Sequence, residues 1–159
     1  MTHNKDIFRP KIALYEPDIP QNTASIIRTC SCLGAHLEII EPCGFLLSDK
    51  RFKRVVMDYM DIDNIKFYSN ATEFFEKKKY ERVILMTTKA KKTYYGFKFE
   101  KNDTILFGRE SSGVPDEVHN KIKNKLKVPM SLNFRSLNIS TTVAIVLAEN
   151  LRQTNYLNG

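Results

Sequence analysis

Three polar segments carry the side chains whose types and spacing suit chemistry. The first is Glu16-Pro17-Asp18-Ile19-Pro20-Gln21-Asn22, with Arg28 six residues beyond Asn22. An amide and a guanidinium at a helix start are able to hold a phosphate or a ribose, and an Asn cap beside a solvated Arg is the plainer alternative. The second is Ile105-Leu106-Phe107-Gly108-Arg109-Glu110-Ser111-Ser112-Gly113-Val114-Pro115, where two glycines, two serines and a glutamate exceed what a loop requires. Its backbone N–H groups are available to a ligand. Glu110, where partly buried, needs a partner, and Arg28 is a candidate. The third runs from Val128 through Met130, Ser136, Leu137 and Asn138 to Ala144, with seven hydroxyl or amide side chains just before the most apolar helix of the chain. A simple cap needs one.

These segments fall where strand-to-helix turns belong. Short apolar runs at 11–15, 36–40, 65–68, 82–86 and 104–107 read as strands, with a further strand end at 127–129. Helices are expected over 21–33, 49–57 and 138–156, with Gly34 stopping the first. Val143, Ile145, Val146 and Leu147 are expected to face the interior from the last. Asn70-Ala71-Thr72-Glu73 has the spacing of an N-cap with a Glu three residues on. The alternation predicts an α/β fold, a largely parallel sheet flanked by helices. In such sheets the turns gather at one edge, where ligands bind. One domain over 1–159 is expected, with 1–10 a short N-terminal extension.

Composition excludes several classes. The 159 residues carry 25 Lys plus Arg against 18 Asp plus Glu, a net charge of +7. The longest apolar run, Val143 to Ala148, is far short of the roughly 20 residues that cross a bilayer. Residues 1–10 have no apolar stretch of a secretory signal, and Cys30, Cys32 and Cys43 read as reduced thiols, so a cytoplasmic, non-membrane protein is expected. Positive charge suggests a polyanionic partner. The six glycines lack a dinucleotide fingerprint, and although Gly108 and Gly113 have P-loop spacing, Val114-Pro115 stand where Lys and Ser/Thr would touch phosphate. His3, His36 and His119 are scattered, and Cys30-x-Cys32 has no second ligand pair, so no metal site is expected.

Taken together, order and spacing included, the three segments resemble the motifs of the SpoU branch of the SPOUT methyltransferases over residues 12–151. Leu14-Tyr15-Glu16-Pro17, Ile19-Pro20-Gln21-Asn22-Thr23, Ile26-Ile27-Arg28 and Ile39-Ile40-Glu41-Pro42 carry the likeness along with the second and third segments. It is closest to the small tRNA 2′-O-methyltransferases of the wobble nucleotide (position 34). The resemblance implies a deep C-terminal trefoil knot, a homodimer, and S-adenosyl-L-methionine as cofactor, released as S-adenosyl-L-homocysteine. By motif position the cofactor falls to Met86, Thr87, Gly108, Glu110, Val128, Met130, Ser136, Leu137 and Asn138. Catalysis falls to Arg28, as base or as electrostatic clamp, with Glu110 orienting it and Asn22 and Ser136 positioning ribose or cofactor. The tRNA anticodon stem-loop falls to Arg28, Lys50, Arg51, Lys53, Arg54 and Lys89, with Tyr94 and Tyr95 available for stacking. Ala24-Ser25 and Thr141 depart from the family's Gly-Asn and Asn. Two alternatives stay open: methylation of another tRNA position or of rRNA, and an inactive RNA-binding knot protein.

Overall fold

Period-two alternation in the strands decides which helices cover which face. In the computed structural model, which describes residues 9–59 and 65–154, the elements run β1 (Lys11–Tyr15), α1 (Pro20–Leu33), β2 (His36–Ile40), α2 (Lys50–Tyr59), β3 (Lys66–Tyr68), α3 (Ala71–Lys77), β4 (Val83–Met86), β5 (Thr104–Phe107), α4 (Asp116–Lys121), β6 (Asn124–Leu126) and α5 (Ile139–Thr154). The six strands form one parallel sheet in the order β3-β2-β1-β5-β4-β6. Ile12, Leu14, Leu37, Ile39, Ile84, Met86, Ile105 and Phe107 point to one face, where α1, α2 and α5 supply Ile26, Ile27, Phe52, Val143 and Val146. Ala13, Tyr15, Ile40, Leu85 and Leu106 point to the other, against Phe74 of α3 and Val118 of α4. Two-sided burial of this kind is what a parallel sheet requires.

Local signals explain the ends of the helices. Pro20 opens α1, where a missing N–H costs nothing, and Gly34 closes it in the left-handed region at φ 72°. Asn70 caps α3 by accepting from the Glu73 N–H at 2.8 Å, while the Glu73 carboxylate accepts from the Ser69 N–H at 2.6 Å. Two expectations are corrected. The last strand is Asn124–Leu126, ending before the anticipated 127–129, because Lys127 pairs instead with the 92–94 segment through Lys127 N–H to Lys92 O and Tyr94 N–H to Lys127 O. Ile145 is only half-buried, because the inward stripe of α5 follows Val143, Val146, Leu147, Asn150 and Leu151 at helical spacing. Residues 1–8 of the anticipated extension, His3 among them, and the anticipated helix end at 156 lie outside the described residues.

Candidate active site

β1 and β5 are neighbours, with Leu14 opposite Phe107, yet β1 leads into α1 on one face and β5 into α4 on the other. Where adjacent strands send their connections to opposite faces, a crevice opens at the carboxyl edge of the sheet. A cavity of about 440 Å³ lies there, within the range of roughly 300–1,000 Å³ usual for small-molecule sites. Its walls are the ends of β4 and β5 with Met86, Thr87 and Gly108, the following loop with Glu110, and the 127–139 segment with Val128, Met130, Ser136, Leu137 and Asn138. All nine residues assigned to a cofactor by resemblance therefore meet in one cavity. Asn22 lines it as well, so three of the four expected catalytic residues are brought together.

Arg28 is the fourth, and it lies elsewhere. It is exposed on α1 and is not part of the cavity wall. Six helical residues carry it about 9 Å along the axis from Asn22 and about 240° around it, onto a different side of the helix. Lys50, Arg51, Lys53 and Arg54 are exposed on α2 while Phe52 is turned into the core. Lys89 is exposed at the cavity rim. Of the two tyrosines expected to stack, Tyr94 packs on the core and only Tyr95 is turned to solvent.

The second segment is a closed loop held by two reciprocal backbone hydrogen bonds, Arg109 N–H to Gly113 O at 3.0 Å and Gly113 N–H to Arg109 O at 2.9 Å. Gly108 is required beneath it, since a Cβ there would sit 2.6 Å from the Gly113 carbonyl carbon. Gly113 has φ +65°, which favours glycine. This loop is fastened to the first turn. The Arg109 guanidinium pairs with Glu16 and lies 5.4 Å from the Tyr15 ring centre. The Asp18 N–H donates to Glu110 Oε2 at 3.1 Å and Ser111 Oγ donates to the Asp18 carboxylate, which sets the Asp18 and Glu110 carboxyls side by side. Burial, then the adjoining Asp18 carboxyl, pushes the Glu110 carboxyl above its ordinary range. The Glu110 carboxyl beside it holds Asp18 below its own. The expected partner of Glu110, Arg28, is thus corrected to Asp18. Asp18 and Arg109 received no assignment from the sequence, although both lie inside the polar segments.

The third segment is anchored by Asn138. Its Oδ1 accepts from the Ser140 N–H at 2.9 Å and from Ser140 Oγ at 2.6 Å, capping α5, while its Nδ2 donates to Asn22 Oδ1 at 3.0 Å. The plain reading of Asn22 as a cap is not what is seen: Asn22 lies inside the first turn of α1. Replacing Asn138 by Ala is expected to lower stability by about 1 kcal/mol through the lost cap. Asn138→Asp keeps the cap acceptor but cannot donate to Asn22, so it should restore the unfolding midpoint while leaving the activity of the site impaired. Urea melts and activity assays on both variants test this separation.

The SpoU rRNA Methylase family profile matches residues 9–148. A tRNA (cytidine(34)-2′-O)-methyltransferase of Beijerinckia indica subsp. indica is 42% identical over 148 residues, covering 92% of each chain. One from Ancylobacter novellus is 41% identical over 145 residues, covering 90% of this chain and 92% of the relative. A solved structure described as structural insights into the 2-OH methylation of C/U34 on tRNA matches at TM-score 0.84 and 34% identity, covering 92% of this chain and 96% of that one.

Proposed function

The chain belongs to the SpoU rRNA methylase family, and from that premise we propose that it methylates the ribose 2′-hydroxyl of cytidine or uridine at the tRNA wobble nucleotide, with S-adenosyl-L-methionine as donor. The observation that carries this reading is the meeting of three distant polar segments at one cavity, joined by Asn138 to Asn22 and by Glu110 to Asp18. The names of the relatives support the substrate.

The cavity suits the donor chemically. Leu85, Met86, Phe107, Val128 and Leu137 offer apolar walls for a flat ring, and the 108–113 loop, Thr87 and Ser136 offer polar groups beside them. The donor supplies a methyl group on a positively charged sulfonium and leaves as S-adenosyl-L-homocysteine. Asn138, fixed as a helix cap, holds Asn22, and Asn22 with Ser136 orients the ribose. Glu110 lies in the wall beside them. A guanidinium such as that of Arg28 is a poor base. Its part is to clamp the neighbouring phosphate and stabilise the developing alkoxide.

The reading extends to a homodimer in which Arg28 of one chain serves the cavity of the other, a role supported by its exposed position away from its own cavity. It extends also to a C-terminal trefoil knot, to the anticodon stem-loop held by the basic faces of α2 and the Lys89 rim, and to a cytoplasmic place of action. Among the described residues no helix is long and apolar enough to cross a membrane. The test is to incubate the protein and labelled S-adenosyl-L-methionine with total tRNA and with rRNA, then map the methylated nucleotide. Label at the 2′-oxygen of the tRNA wobble position is expected. Label in rRNA or at another tRNA position would redirect the substrate, and no label in either would favour an RNA-binding protein without activity.

A further inference from the structure

The fastening between the first and second turns has an unusual charge balance. Among the described residues, three carboxyls, Glu16, Asp18 and Glu110, meet there with a single guanidinium, Arg109, which pairs with Glu16. The groups on the neighbouring loop after β2 are no help: burial and the negative charges of Glu41 and Glu110 push the Cys43 thiol up to about 11. The backbone at Asp18 is held close against Gly44: the Gly44 N–H donates to Pro17 O at 2.9 Å, and a Cβ on Gly44 would lie 2.7 Å from the Asp18 Cβ. Glu110 Oε2 accepts from the Asp18 N–H, and Ser111 Oγ donates to Asp18 Oδ2. The remaining oxygens, Asp18 Oδ1 and Glu110 Oε1, are buried without a donor. Two adjoining carboxyls, each with a buried oxygen that lacks a donor, are satisfied by one proton between them, as like charges this close do not both ionise readily.

We propose that Asp18 is a positioning residue that acts through Glu110: the pair shares one proton, and that proton holds the 108–113 loop against the first turn and so shapes the cavity wall for the methyl donor. The donor's identity rests on the function proposed above; the shared proton does not. When the proton leaves, two carboxylates face each other and the loop loses its hold. The sign follows from each group. Glu110, raised, contributes stability that is lost as pH rises through its folded value. Asp18, lowered, contributes stability that is lost as pH falls through its folded value. The closed wall belongs to the window between the two, and donor affinity falls on its alkaline side.

The experiment has two readouts on the full chain. Infrared titration of the ligand-free protein should show a carboxylic-acid carbonyl band persisting above the ordinary carboxylate range, lost in Asp18→Asn because an amide supplies the donor permanently. Calorimetry with S-adenosyl-L-homocysteine should show affinity weakening by about tenfold per pH unit above the pair's titration, while Asp18→Asn binds with no such slope and Asp18→Ala binds weakly at every pH. Absence of the band in the wild type, or an Asp18→Asn slope equal to the wild-type slope, overturns the shared proton. A band that titrates as expected without S-adenosyl-L-homocysteine binding at any pH overturns the donor reading of the cavity instead.

Discussion

Arg28→Ala is expected to lower turnover on tRNA by about 10²–10³-fold, the usual loss when one group aimed at developing charge is removed, while the affinity for S-adenosyl-L-homocysteine stays unchanged. The two halves of this expectation have separate grounds. Arg28 is exposed and forms no part of the cavity wall, so a cavity ligand should not feel its loss. The reaction, by contrast, must draw a proton from a ribose hydroxyl beside a phosphate, and a planar, permanently charged guanidinium is suited to hold both oxygens. Arg28→Lys should fail nearly as badly, because an ammonium keeps the charge but loses the fork. Single-turnover methylation and calorimetry on the same preparations give the two numbers. Near-wild-type methylation by Arg28→Ala would remove Arg28 from the chemistry. In the homodimer proposed above, combining Arg28→Ala chains with Glu110→Ala chains should recover part of the activity, since one of the two cavities then has both residues intact. No recovery would place each Arg28 with its own cavity.

The position of Arg28 shows where sequence reading stops. Helical spacing places Ile26, Ile27 and Cys30 on one face of α1, and all three are buried. The residues that face away are left by the same periodicity with no address, since their partners are not on the same helix. Asp18 escaped assignment for a related reason. Its partner Glu110 is 92 residues away, and the two meet only because β1 and β5 are neighbours at the point where the sheet changes direction. The first five strands were legible from their own apolar runs, whereas Asn124–Leu126, with two polar residues of three, was not; strand order was not legible either, because nearly every strand here is apolar on both faces. Asn138 was legible as a site residue by resemblance, but its double use as cap and as donor to Asn22 needed coordinates. By contrast, Gly34, Pro20 and the Asn70–Glu73 pair act within a few residues of chain, and their signals needed no tertiary context.

Lys78→Met is expected to destabilise the fold by about 3–5 kcal/mol, the cost typical of removing one partner of a buried ion pair. Lys78 is 5% exposed and so is Glu38, on the sheet face that carries α3. The Lys78 ammonium donates to Glu38 at 2.9 Å and reaches Glu81 at 3.1 Å, and the Tyr68 hydroxyl donates to the same Glu38 oxygen at 3.3 Å. Glu38 Oε2 is already buried without a partner. Removing the ammonium therefore strands a carboxylate that only a tyrosine hydroxyl addresses. A domain of this kind has about 5–15 kcal/mol in all, so the variant should unfold at a much lower urea concentration. Adding Glu38→Leu should recover most of the loss, because the penalty is the unpaired charge and not the missing attraction. The pH dependence has a definite sign. Burial tends to raise the Glu81 carboxyl, but Lys78 and Lys11 outweigh it and hold it below its ordinary range. Its contribution is thus present at neutral pH and lost as pH falls through that lowered value. Lys78→Met lacks the larger share of it, so the gap between the two proteins should narrow on acidification. Urea melts of the two single variants and the double variant, taken at neutral and acid pH, measure both effects. A Lys78→Met midpoint equal to the wild type would remove the buried pair as a source of stability.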